Sequence, residues 1–106
     1  MAVDIPEEYD MLHDILHEAL VQAACGKGRD RHAAQGERFE EQRMQTISHL
    51  LRTERGMAFQ AIKKLTEGLD LEDINAQKRE LLGAINYIAG IIIYLESQND
   101  LTKETL

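Results

Sequence analysis

The chain has 106 residues, 43% of them hydrophobic and 29% charged, with one proline and one cysteine. That length suits a single small domain, and the apolar share is enough for a core, which excludes wholesale disorder. Twelve Lys and Arg against nineteen Asp and Glu leave a net charge of −7, so a duplex-DNA binder working by overall charge is excluded and any anion has to be held locally.

Asp4 stands as a helix N-cap, with Glu7 in capping-box spacing and Pro6 in the first turn, which predicts a helix over about residues 5–25. Its apolar residues Ile5, Tyr9, Leu12, Leu16, Ala19, Leu20 and Ala23 recur by threes and fours, the signature of an amphipathic helix. Gly26 and Gly28 interrupt the pattern, and residues 26–36 hold no apolar side chain larger than alanine, so this stretch reads as a loop. Cys25 has no second cysteine to pair with, and the acidic N-terminal residues precede no apolar signal core; a cytoplasmic protein is expected.

From about residue 37 a longer helix is predicted, with Met44, Ile47, Leu51, Ala58, Ile62 and Leu65 on one stripe and Gly68 as its stop. Asp70, Glu72 and Asp73 then open a third helix, whose stripe of Ile74, Lys78, Leu81, Ile85, Ile88, Ile92 and Leu95 runs to about residue 97, before a polar tail over 98–106 that should fray. The expected fold is all-α: one domain with a short N-terminal amphipathic helix and a long antiparallel helical hairpin over about 37–97.

No residue from Leu81 to Leu95 is charged, and apolar side chains fall on every face of that helix. Two neighbouring helices cannot cover it. The run is shorter than the ~20 residues a bilayer requires, so burial between subunits of a homo-oligomer is expected rather than a membrane span. Gly83, Tyr87, Gly90 and Tyr94 share a stripe of steps four, three and four, which reads as a close-approach subunit interface; the plainer alternative is the core edge of a monomer.

Chemistry concentrates in Gly26–Lys27–Gly28–Arg29–Asp30–Arg31–His32–Ala33, three cations against one acid in an acidic chain. The flanking glycines let backbone N–H groups approach a ligand. A guanidinium can take two phosphate oxygens at once while Lys27 acts as a point charge, which suits a compact ligand with more than one phosphate. The glycine spacing is not that of a P-loop, and a solvated basic turn is the alternative reading. His13 and His17 lie one helical turn apart beside Asp10 and Asp14, but no third ligand follows from the spacing, and neither a metal nor a cofactor is expected. Glu37, Glu40 and Glu41 form an acidic helix start, which the macrodipole alone explains; all-α nucleotide pyrophosphohydrolases hold Mg²⁺ with paired glutamates as one half of a box and a later Glu–Asp pair as the other. The other half is missing, because Glu80 is followed by Leu81, Leu82 and Gly83. Cys25 has no base implied by spacing. No enzyme is expected.

The basic string, the following Phe39–Glu40–Glu41–Gln42 and the helical hairpin together resemble the phage anti-CBASS type 2 proteins, over roughly residues 9–95. These are small cyclic-nucleotide sponges whose hairpin domain is shared with the anti-Thoeris type 1 sponges. The resemblance implies a hexamer, a trimer of dimers, in the cytoplasm of an infected bacterium. It would sequester cyclic di- or trinucleotide messengers, or cyclic ADP-ribose isomers, without cleaving them. It further implies phosphate contacts from Lys27, Arg29 and Arg31, with Gly26, Gly28 and His32 lining the approach. A base-stacking aromatic is implied on the first helix, where Tyr9 is the candidate and Leu12 the competing position. A structural or adaptor helical oligomer without a small ligand is the alternative function, and a nucleotide pyrophosphohydrolase a further one.

Overall fold

A computed structural model describes the backbone of residues 3–25 and 36–105, with side chains up to Asn99. Among the described residues there are four helices and no strand: α1 (Asp10–Cys25), α2 (Arg43–Leu51), α3 (Arg55–Leu69) and α4 (Ile74–Thr105). The all-α class agrees with the sequence pattern, while the helix boundaries differ in instructive ways.

The first helix starts later than Asp4 and Glu7 suggested. Pro6 is extended, at φ −59° and ψ 146°, and caps a single 3-10 turn, Glu7–Tyr9, with no side-chain capping bond. Proline favours an extended residue before it and lacks an N–H, so the chain enters the helix only after it. The long middle helix predicted from residue 37 to 68 is three pieces: a 3-10 turn at Phe39–Glu41, then α2, then α3. Arg52 takes the left-handed conformation, φ 58° and ψ 37°, and its N–H still reaches Ser48 O. Thr53 N–H also donates to Ser48 O at 3.1 Å, closing a Schellman-type C-cap without a glycine. Thr53 Oγ1 then accepts from Arg55 N–H at 3.2 Å and starts α3. Side-chain periodicity carried across this break because only three residues interrupt it.

Helices α3 and α4 form the antiparallel hairpin. Gly68 lies against Glu80, Lys64 against Gly83, and Met57 against Gly90, so the numbers run in opposite senses. Gly68 is not the stop that its position implied: α3 continues to Leu69, with Asp70 as a right-handed C-cap. Gly68 is buried instead, where a Cβ would meet Glu80 Cβ at 2.8 Å. Helix α2 turns back and runs in the same sense as α4, from Gln45 beside Gly90 to the His49 ring 5.0 Å from that of Tyr94. At the far end α4 does not stop near Ser97 but runs to Thr105, since no glycine or proline follows to end it.

Helix α4 therefore serves three neighbours. Gly83, Tyr87, Gly90 and Tyr94 face α2 and α3 of the same chain, with Tyr94 only 4% exposed. The subunit-interface reading of that stripe is thus corrected: the glycines admit Lys64 of α3 and the Met57 and Met44 side chains, not a second chain. Ile85, Ala89 and Ile93 line a trough against Leu16, Ala19 and Leu20 of α1. Ile88, Ile92 and Leu95 are left exposed. By length and composition, α4 holds within residues 74–99 an 18-residue stretch apolar enough to cross a membrane, with mean hydropathy 1.3. In this fold its polar side chains are occupied by neighbouring segments, Gln77 by the Leu69 and Leu71 carbonyls and Asn86 by Ala19 O.

Candidate functional site

Helix α1 docks on α4 through small residues and polar hooks rather than its large apolar stripe. Ala19 is buried, while Leu12, Leu16 and Leu20 stay about half exposed. Asn86 Nδ2 donates to Ala19 O at 3.0 Å, Gln22 Nε2 to Arg79 O at 3.3 Å, and Lys78 Nζ pairs with Glu18 at 2.9 Å. These bonds fix the C-terminal half of α1, from which the basic string departs after Cys25.

The chain re-enters at Gly36, in a left-handed turn at φ 77°, and forms the Phe39–Glu41 turn. Arg38 N–H donates to Glu41 Oε1 at 3.2 Å, and the Arg38 guanidinium pairs with Glu40 at 3.4 Å. This turn delivers Phe39 and Gln42 to the α1–α4 junction. There a cleft of about 110 Å³ is lined by Gln22 and Ala23 of α1, Phe39, Gln42, Arg43 and Met44 of the re-entering segment, Lys64 of α3, and Gly83, Asn86 and Tyr87 of α4. An apolar trough of about 560 Å³ adjoins it and shares Ala23, Phe39, Gln42 and Asn86.

Charge in the cleft runs against that of the whole chain. Arg43 and Lys64 line it, and no carboxylate does among the described residues. The Arg43 guanidinium pairs with no described carboxylate, whereas Lys64 is held by Glu80 at 3.4 Å and lies 5.9 Å over the Tyr87 ring. Gln42 is 7% exposed, and its side chain neither caps α2 nor bonds to another described residue. No wholly enclosed side-chain polar atom is left unpaired among the described residues, so the Gln42 amide opens onto the cavities it lines. The cleft combines two cations, two aromatic rings and uncommitted amide capacity.

The sequence-assigned ligand residues Gly26, Lys27, Gly28, Arg29, Arg31 and His32 lie outside the described residues. Tyr9 is 56% exposed in the turn before α1, and sixteen helical residues separate it from the Cys25 end, a rise of about 24 Å. Leu12 sits only one turn nearer. Tyr9 and Leu12 therefore stand toward the opposite end of α1 from Cys25, after which the basic string follows in the sequence. The His13 and His17 rings lie nearly parallel with their centroids 6.3 Å apart, and His13 stands beside Asp14 at 3.6 Å. Among the described residues, no three or more His, Cys, Asp or Glu gather as metal ligands. Glu80, the residue that could have completed a pyrophosphohydrolase box, is engaged by Lys64. Sequence reasoning singled out Phe39 and Gln42 as part of a motif but missed Arg43 and Lys64, which periodicity marks only as ordinary helix-surface cations.

No protein-family model, curated protein or solved structure matches the chain.

Proposed function

We propose that the protein sequesters cyclic di- or trinucleotide messengers in the cytoplasm of an infected bacterium, as an immune-evasion protein that binds without cleaving. The observation that carries this reading is the pairing of Gly26–Ala33 with Phe39–Gln42 in one acidic all-helical chain. The fold supports it, because the last turns of α1 and the Phe39–Gln42 turn border the same cleft. The described segments that precede and follow the basic string in the sequence therefore both border that cleft. A cleft of about 110 Å³ is well below the roughly 300 Å³ of a typical small-molecule pocket, so a whole cyclic dinucleotide needs surface from elsewhere. An oligomer, with a hexamer as its expected form, supplies it from a neighbouring chain, and Tyr9 or Leu12 then joins from across the boundary.

Recovery of the ligand tests the proposal. The protein is mixed with a panel of cyclic di- and trinucleotides and a cyclic ADP-ribose isomer, freed of unbound ligand and denatured, and the released molecule is identified. Intact messenger is expected, with and without Mg²⁺. Replacing Lys27, Arg29 or Arg31 by alanine should each remove a charge-assisted hydrogen bond, about 1.5–3 kcal/mol or roughly tenfold to a hundredfold in affinity. Linearised product overturns sequestration in favour of an enzyme. No retained ligand favours the structural oligomer, the reading to which the exposed apolar faces of α1 and α4 lend weight.

A further inference from the structure

The cleft itself carries a second assignment, which involves none of the basic-string residues and does not depend on the messenger those residues hold. We propose that it binds the phosphate of a nucleoside monophosphate-sized ligand, with Arg43 and Lys64 as the cations and the Gln42 amide as the buried polar contact.

Four observations converge on an anion with a flat ring attached. Arg43 and Lys64 line the cleft and no carboxylate lines it among the described residues; Glu80 pairs with Lys64 from outside the lining, so in a chain of net charge −7 the unpaired Arg43 leaves a net positive charge there. Gln42 is more than nine-tenths buried and opens into the cavity with no described partner for its amide; a buried polar group in that state gains a hydrogen bond when a ligand arrives. Its neighbours Arg43 and Met44 open the nine-residue helix α2, which has no side-chain cap, and the first N–H groups of a helix favour an anion. Phe39 and Tyr87 add aromatic faces to the same lining, which suits a base or another planar ring. The volume of about 110 Å³ admits one phosphate or one ring, and the remainder of the ligand extends into the adjoining trough through the shared residues Phe39 and Gln42.

The Lys64–Glu80 pair gives the proposal its sharpest test. Glu80 competes with the ligand for the Lys64 ammonium. Glu80→Gln should therefore tighten phosphate binding, the opposite of what loss of a merely structural ion pair would do. Titrating isotope-labelled protein with inorganic phosphate and with AMP, and following amide chemical shifts, reads the site directly. The backbone amides of Arg43 and Met44 and the side-chain amides of Gln42 and Asn86 should move, with AMP binding tighter than phosphate. Arg43→Met should weaken binding about tenfold or more, and because Arg43 is exposed its variant keeps the fold. Gln42→Glu, of nearly the same shape, should abolish binding by charge. The proposal is overturned by shifts confined to other residues, by binding indifferent to Arg43→Met, by weaker binding in Glu80→Gln, or by AMP binding no better than phosphate. A protein that retains no cyclic nucleotide yet shows these shifts keeps this site and loses the function proposed above; the reverse result removes this site alone.

Discussion

A methyl group on Gly90 would lie 3.0 Å from Met57 Sδ and 3.3 Å from Met44 Cε, with the Gln45 amide at 3.5 Å. Two of these neighbours are the ends of flexible thioether chains, so alanine can be admitted by small rotations while the helix gains up to about 1 kcal/mol in propensity. Leucine cannot. Gln45 is 2% exposed and donates to Gly90 O at 2.7 Å, so a larger side chain breaks a buried hydrogen bond as well as overpacking, a loss of about 1–3 kcal/mol or more. Denaturant melts should show Gly90→Ala near wild type and Gly90→Leu clearly weaker, with a loss independent of protein concentration because the contact lies within one chain. Concentration-dependent loss would return the glycine stripe to an interface between subunits. The spacing of Gly83, Tyr87, Gly90 and Tyr94 disclosed close approach but not the identity of the neighbour. Lys64, Met57 and His49, which meet that stripe, belong to two helices whose register depends on a break at Arg52 that side-chain periodicity does not register.

Helices α3 and α4 approach closely near their turn. There the obstacle to a side chain at Gly68 is Glu80 Cβ at 2.8 Å, an atom fixed to its backbone, so alanine forces the two helices apart. Despite its better helix propensity, Gly68→Ala should therefore destabilise by about 1–3 kcal/mol, read as a lower midpoint in thermal or denaturant unfolding. A neutral result would mean that the turn at Asp70–Asp73 absorbs the shift. Hairpin and turn were legible because Asp73 is a genuine start signal, its carboxylate accepting from Ala76 N–H at 2.9 Å. Asp4 offered the same signal and failed because Pro6 intervened. The candidate site was legible only where a short motif marked it, at Phe39 and Gln42. Arg43 and Lys64 reach the cleft through the reversal of α2 against α3, a tertiary event with no local signature apart from Arg52, whose left-handed backbone is unusual for a side-chain-bearing residue.

For the molecule as a whole, burial is thin. Six hydrophobic residues are buried among those described, three of them alanines, while the large side chains of α1 and the outer faces of α3 and α4 stay exposed. The Cα radius of gyration, 15.4 Å, exceeds the roughly 13 Å of a compact domain of this length. Exposed apolar side chains in this number suit the homo-oligomer proposed above. Light scattering at micromolar concentration should give a mass above one subunit, and Leu16→Glu, about half exposed on α1, should lower it while leaving helicity intact. A single-subunit mass for the unaltered protein would remove the oligomer from the proposed function. The order of the helices has a bearing on synthesis: α1, α2 and α3 emerge from the ribosome before α4, the surface to which each of them is fitted. Until α4 emerges the helices before it have almost nothing to fold against, so their apolar stripes stay open to chaperones, and the emergence of α4 decides when they fold.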